Sequence, residues 1–173
     1  REIRQRIFEE TGLTASAGIS VNKFLAKVAS DYNKPNGQKT IHPTKIDEFL
    51  ENLPIEKFYG VGKVTANKMH TLHIFKGSDL KAKSLDDLEK LFGKSGRYYY
   101  NVVRGIHNGE VKPNRIQKSV AVERTFWDDI NEDEEIEQKL KSLSLELEER
   151  LNKREIKGKT LTLKIKYKDF SLF

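Results

Sequence analysis

Leu53-Pro54-Ile55-Glu56-Lys57-Phe58-Tyr59-Gly60-Val61-Gly62-Lys63-Val64-Thr65-Ala66-Asn67-Lys68-Met69 is the stretch on which the fold turns. Its Gly60-Val61-Gly62 sits between two helical patterns. Two glycines permit a tight hairpin there, and the helix that follows must begin with its first N–H groups pointing outward and unpartnered. Such amides bind phosphate, and Lys63 and Lys68 add counter-charge. A contact to backbone phosphate reads no base, so binding through this hairpin is expected to be sequence-independent and salt-sensitive. The plainer alternative is an ordinary glycine turn joining two helices.

Working outward, the chain separates into three stretches at turn-rich junctions. Residues 1–43 run helix (about 1–11), short strand (about 14–19), helix (about 22–33), a Lys34-Pro35-Asn36-Gly37 turn and a strand (about 38–41), an α/β pattern. Residues 44–113 are helical by pattern and read as a small bundle punctuated by Gly77, Gly93, Gly105 and Gly109. Thr44 with Asp47, and Ser84 with Asp87, have the spacing of helix caps. After a Val111–Ile116 linker, residues 114–173 read as strand–helix–strand. The helix over 133–153 lines up Ile136, Leu140, Leu143, Leu147 and Leu151, with Glu134, Glu135, Glu148 and Glu149 facing water. The strand over 159–168 alternates Leu161, Leu163, Ile165 and Tyr167 with Thr160, Thr162, Lys164, Lys166 and Lys168.

Composition narrows the function classes. With 36% hydrophobic and 34% charged residues and a net charge of +6, the chain is expected to carry extensive wet surface and a polyanionic partner. The charge is uneven: residues 1–43 hold seven Lys/Arg against four acids, 44–113 twelve against nine, and 114–173 thirteen against thirteen. Zero cysteines exclude disulfides and thiolate metal sites, as in a reducing cytoplasm. No apolar run approaches the roughly 20 residues of a membrane helix, so no membrane partner is expected. The first residue is Arg rather than Met, and Ile3, Ile7 and Phe8 already keep helical spacing; both ends are expected to be cuts in a longer protein.

Three blocks in order carry a resemblance. They are Gly18-Ile-Ser-Val-Asn-Lys-Phe-Leu-Ala-Lys-Val-Ala-Ser-Asp-Tyr-Asn-Lys-Pro-Asn-Gly37, the Tyr59–Val64 hairpin, and Lys118-Ser-Val-Ala-Val-Glu-Arg-Thr125. The hairpin resembles the helix-hairpin-helix motif of DNA repair and replication proteins. All three together resemble Y-family translesion DNA polymerases of the DinB, or bacterial DNA polymerase IV, type, over essentially the whole chain. The resemblance implies an α+β multidomain fragment: a partial α/β palm (1–43), an all-helical thumb with the helix-hairpin-helix (44–113), and a partial α/β little finger (114–173).

It also implies roles. Lys34 would reach the triphosphate of an incoming deoxynucleoside triphosphate, while Gly60, Gly62, Lys63 and the Val64 amide would hold primer–template phosphates. The carbonyls of Glu56, Phe58 and Val61 are where a monovalent cation would sit. Lys118 and Arg124 would touch the template backbone. Lys164, Lys166 and Lys168 would form a row with about 6.6 Å spacing, twice the strand rise, near the phosphate repeat of one DNA strand. An edge strand guarded by lysines is the alternative for that row. Gly93-Lys94-Ser95-Gly96-Arg97 reads as either a second phosphate loop or a plain helix boundary.

Catalytic carboxylates for Mg2+ are expected outside this chain, as is the tail that binds a sliding clamp, so the isolated chain is expected to bind primer–template DNA weakly and incorporate nothing; the location expected is a bacterial cytoplasm. Asp31 is the only acid in its block, and nothing is expected to partner it. Asp86-Asp87 and Asp128-Asp129 are read as acids at helix starts rather than metal ligands. His70 and His73 lack a third ligand. The competing functions are a helix-hairpin-helix module of a nuclease, ligase or glycosylase, and a non-catalytic polymerase relative; neither of the flanking blocks belongs to the former.

Overall fold

The computed structural model describes residues 1–173, which form two compact units, Arg1–Lys112 and Pro113–Phe173. The first opens with α1 (Glu2–Thr11), β1 (Ala17–Ile19), α2 (Lys23–Tyr32) and β2 (Gln38–Thr40). β1 and β2 pair in parallel, with Ala17 opposite Gln38 and Ile19 opposite Thr40. Parallel neighbours need a crossover. α2 supplies it, capped by the Asn22 side chain, which accepts from the Leu25 amide at 3.0 Å. Phe24, Leu25, Val28 and Ala29 fall on one face of α2 and are buried.

Five short helices follow: α3 (Ile46–Glu51), α4 (Lys63–Thr71), α5 (Gly77–Lys81), α6 (Leu85–Phe92) and α7 (Lys94–Val102). Leu50, Leu53, Ile55, Phe58, Met69, Ile74, Leu80 and Leu88 join the α2 side chains in one core, and no polar or charged residue is buried with them. Segment 53–55 runs against 75–77 through Ile55 N to Phe75 O (2.9 Å) and Gly77 N to Leu53 O (3.0 Å). A Cβ on Gly77 would overlap the Leu50 carbonyl oxygen, so this close approach of backbone requires glycine.

Ser84 caps α6 as expected, its Oγ accepting from Asp87 N at 3.1 Å. Thr44 does not cap α3 with Asp47. Pro43, with its preset φ, starts a 3-10 turn (Pro43–Lys45) one step earlier, and the His42 ring accepts the Thr44 amide. Asp47 instead meets Lys81 Nζ at 3.1 Å.

In the second unit α8 (Asp133–Lys153) matches its sequence pattern, yet neither flanking strand forms. Residues 159–168 reach only one isolated bridge, Lys166 to Leu172, and 118–125 form no ladder. Alternation assigns the faces of a strand but supplies no neighbour for its backbone groups, and a lone pair of strands is marginal in water. Segment 117–124 is tied to α8 by side chains: Arg124 pairs with Glu146, Arg150 Nη1 donates to Ala121 O at 2.8 Å, and Arg154 donates to Gln117. Asp128 and Asp129 do not sit at the start of α8, whose first turn already holds Asp133, Glu134 and Glu135. Asp129 faces Lys168 Nζ at 3.5 Å. No helix is long and apolar enough to cross a membrane.

Candidate nucleic-acid interface

The hairpin is built from a 3-10 turn (Ile55–Lys57), a four-residue reversal and the start of α4. Val61 N donates to Phe58 O at 3.0 Å, closing a β-turn over Tyr59 and Gly60. Gly60, at the third turn position, has φ 95°, which is type II geometry and strained for any residue with a side chain. Phe58 and Val61 point into the core, whereas Gly60, Gly62, Lys63 and Val64 lie on the surface.

Gly62 is the N-cap of α4, in extended conformation (φ −84°, ψ 171°), and offers no side chain to the helix. The first amide the helix satisfies internally is that of Ala66, which donates to Gly62 O at 2.9 Å. The amides of Gly60, Gly62, Lys63, Val64 and Thr65 have no acceptor within the protein. Four of these five lie consecutively at one helix end, with the Lys63 ammonium exposed and unpaired beside them. A tetrahedral anion fits that chemistry: N–H donors, a helix dipole and a flexible cation.

Two tyrosines from α7 support the turn from behind. Tyr98 Oη donates to Tyr59 O at 2.7 Å, and Tyr99 Oη reaches Gly60 O at 3.5 Å. Neither is singled out by the sequence pattern, since they lie 39 residues from their acceptors. The run Tyr98-Tyr99-Tyr100 in a helix is the one signal that could have found them. The Glu56 and Val61 carbonyls accept no hydrogen bond and Phe58 O accepts one, so this trio retains the lone pairs a monovalent cation would use.

The remaining residues picked out from sequence fall elsewhere on the surface. Lys68 is turned away from the hairpin; its Nζ donates to Leu91 O at 2.5 Å above the Phe92 ring. Lys34 lies in the turn just past α2, with Nζ 2.6 Å from Asp31 Oδ1, while Lys27 holds the other oxygen at 2.9 Å. The Lys34 ammonium, and after it that of Lys27, keeps the Asp31 carboxyl below its ordinary value. Asp31 thus has partners after all, both of them cations. Arg4 of α1 holds the turn after Lys34: its Nη2 donates to Asn36 Oδ1 at 2.7 Å and also to Asn36 O, and its Nε to Ala15 O at 2.9 Å.

Gly93 caps α7 without a side-chain bond, and Arg97 pairs with Glu89 at 2.7 Å. His70 Nε2 meets Glu56 Oε1 at 2.8 Å and its ring stacks on Phe75 at 5.3 Å; His73 approaches the same ring at 6.3 Å. No group of three or more His, Asp or Glu is placed to hold a metal ion. In the second unit Lys118 and Lys164 are exposed and unpaired, and Arg124 is engaged with Glu146. Lys166 lies over the Phe170 ring at 4.5 Å and Lys168 faces Asp129, so the three lysines do not form a regular strand row.

Known proteins match this chain along its length. Residues 1–31 match the impB/mucB/samB family, 43–74 the helix-hairpin-helix motif of the same family, and 117–173 the C-terminal domain of that family. The chain is 51% identical over 170 residues to DNA polymerase IV 2 of Agrobacterium fabrum, covering 98% of this chain and 48% of that protein. It is 52% identical over 164 residues to DNA polymerase IV of Staphylococcus epidermidis, covering 95% and 46%. It therefore spans about half the length of the curated relatives it matches. Among solved structures, DinB from Sulfolobus solfataricus aligns with a TM-score of 0.57 at 37% identity, covering 61% of this chain and 31% of that one. An insertion ternary complex of Dbh DNA polymerase aligns with a TM-score of 0.60 at 35% identity, covering 65% and 33%.

Proposed function

Because the chain belongs to the impB/mucB/samB family of DinB-type Y-family DNA polymerases, we propose that it is the primer–template-gripping part of an error-prone translesion polymerase of the DNA polymerase IV type. The activity assigned to the full-length protein is DNA-directed transfer of a nucleotidyl group from a deoxynucleoside triphosphate to a primer end. Residues 1–43 are assigned to the palm, 44–113 to the thumb and 114–173 to the little finger.

The observation that carries this function is the set of unpartnered amides at the Gly60–Thr65 hairpin beside the free Lys63 ammonium. These donors would grip a primer–template phosphate without reading sequence, as a polymerase that moves along DNA requires. Lys118, Arg124, Lys164, Lys166 and Lys168 would add counter-charge along the duplex. A monovalent cation at the Glu56, Phe58 and Val61 carbonyls would bridge the hairpin to the same strand. Lys34 would steady the triphosphate, as a compact point charge suits spread phosphate charge.

Polymerases of this family use divalent metal ions, assigned here as Mg2+, which would stabilise the charge that develops during phosphoryl transfer. The residues present do not fit such a site: Asp31 is taken by two lysines, Asp86 by Lys90 at 2.5 Å, and Asp129 by Lys168. No catalytic step is therefore routed through this chain. A cytoplasmic location and a sliding-clamp partner belong to the same proposal for the full-length protein.

The test uses Lys63→Gln and Lys63→Pro, with primer–template binding read by fluorescence anisotropy. Proline at the first helical position keeps the helix but removes one N–H, and the extended Gly62 tolerates it. Lys63→Gln removes the charge alone. Lys63→Pro is expected to bind more weakly than Lys63→Gln by about tenfold or more, the worth of one hydrogen bond to a charged group. Equal affinities of the two variants would mean that no amide here meets phosphate.

A further inference from the structure

We propose that Tyr98 is a positioning residue for the phosphate-binding hairpin, its hydroxyl fixing the Tyr59–Gly60 peptide so that the amides beyond it face the DNA. This rests on the phosphate-binding assignment of the hairpin. Type I and type II turns differ by a flip of the central peptide, which here joins Tyr59 to Gly60. In a trans peptide the C=O and N–H point in opposite directions. With Tyr59 O held by Tyr98 Oη at 2.7 Å, the Gly60 N–H is directed away from α7, and it finds no acceptor in the protein.

The Tyr98 ring cannot easily swing away. It packs edge-on against Phe24 at 6.5 Å, Tyr99 at 5.7 Å and His107 at 6.5 Å. It also fills the space beside Gly60, where a Cβ would come within 2.9 Å of its Cε1. Burial pushes the phenol up to about 12, with Tyr59 and Tyr99 adding to the rise, so the hydroxyl stays a donor at working pH. Phe24 also packs on Phe58 at 6.0 Å, so one aromatic cluster joins α2 to both the turn and its brace. Tyr99 serves the turn less: its 3.5 Å contact is at the limit of a hydrogen bond.

Tyr98→Phe keeps the ring and removes only the donor. Binding to a primer–template duplex is expected to weaken about three- to tenfold, against less than about twofold for Tyr99→Phe. The melting temperature should change little, and the Gly60 amide resonance should move in the free protein. Wild-type binding together with the Lys63→Pro loss reports on the hairpin assignment itself. If those hold while Tyr98→Phe binds like wild type, the positioning role is overturned and the assignment stands. A Tyr98→Phe loss that tracks a fall in melting temperature, with the Gly60 resonance unmoved, would also overturn it by marking a purely structural side chain.

Discussion

Lys34 Nζ and Asp31 Oδ1 stand 2.6 Å apart at the end of α2, so the lysine assigned to the triphosphate is already held by a carboxylate. An arriving triphosphate would have to draw it away. In the full-length polymerase, Lys34→Ala is expected to raise the nucleotide KM about tenfold or more, the scale of a charge-assisted contact, with DNA affinity nearly unchanged. Asp31→Asn should lower the KM, because it removes the competitor and unmasks Lys27 as well. Steady-state kinetics over a nucleotide series checks both; an equal loss of DNA binding in Lys34→Ala would contradict the assignment.

Acid sensitivity follows from carboxyls whose folded values lie below the ordinary ones. The Phe75 amide, followed by that of Lys76, depresses Asp79, and the Lys34 ammonium depresses Asp31. A depressed folded value contributes stability above the unfolded value of 3.8 and loses it as pH falls through the lower folded value. Thermal melts should be flat from neutrality to about pH 5 and decline below about pH 4. Asp79→Asn keeps an acceptor for both amides but cannot ionise, and should shrink that decline.

Gly77→Ala sets helix propensity against crowding. Alanine would favour α5 by about 1 kcal/mol. The overlap with the Leu50 carbonyl, which is backbone and cannot rotate aside, should outweigh that gain and leave a net loss of about 1–3 kcal/mol. A denaturant melt that showed the variant equal to or more stable than wild type would refute the close packing of α5 on α3.

The lysines of the second unit are best tested by salt. Changing Lys164, Lys166 and Lys168 together to Gln should reduce the slope of log affinity against log salt by up to about three. Lys164→Gln alone, the unpaired member, should account for about one of these. An unchanged slope would place the row away from DNA.

What the sequence disclosed depended on the range of each interaction. α2, the hairpin and α8 were legible because apolar spacing and paired glycines are local signals, as is the Ser84 cap of α6. The 159–168 alternation misled because its pattern is that of a strand when no neighbour forms a ladder with it. The Asp31 pairing lies in the spacing alone, as Lys27 stands four residues before it and Lys34 three after, a signal of ion pairing that the expected lack of a partner overlooked. The Tyr98 brace could not be read, since nothing in a linear pattern says which carbonyl a tyrosine 39 residues away will meet.

The wholly apolar core separates two properties that often move together. Every ionic group sits where counterions reach it, so dissolved electrolyte can weaken the hold on nucleic acid steeply while touching little of what keeps the chain folded. A concentrated sodium chloride wash should therefore strip bound DNA and return the protein intact, ready to rebind on dilution.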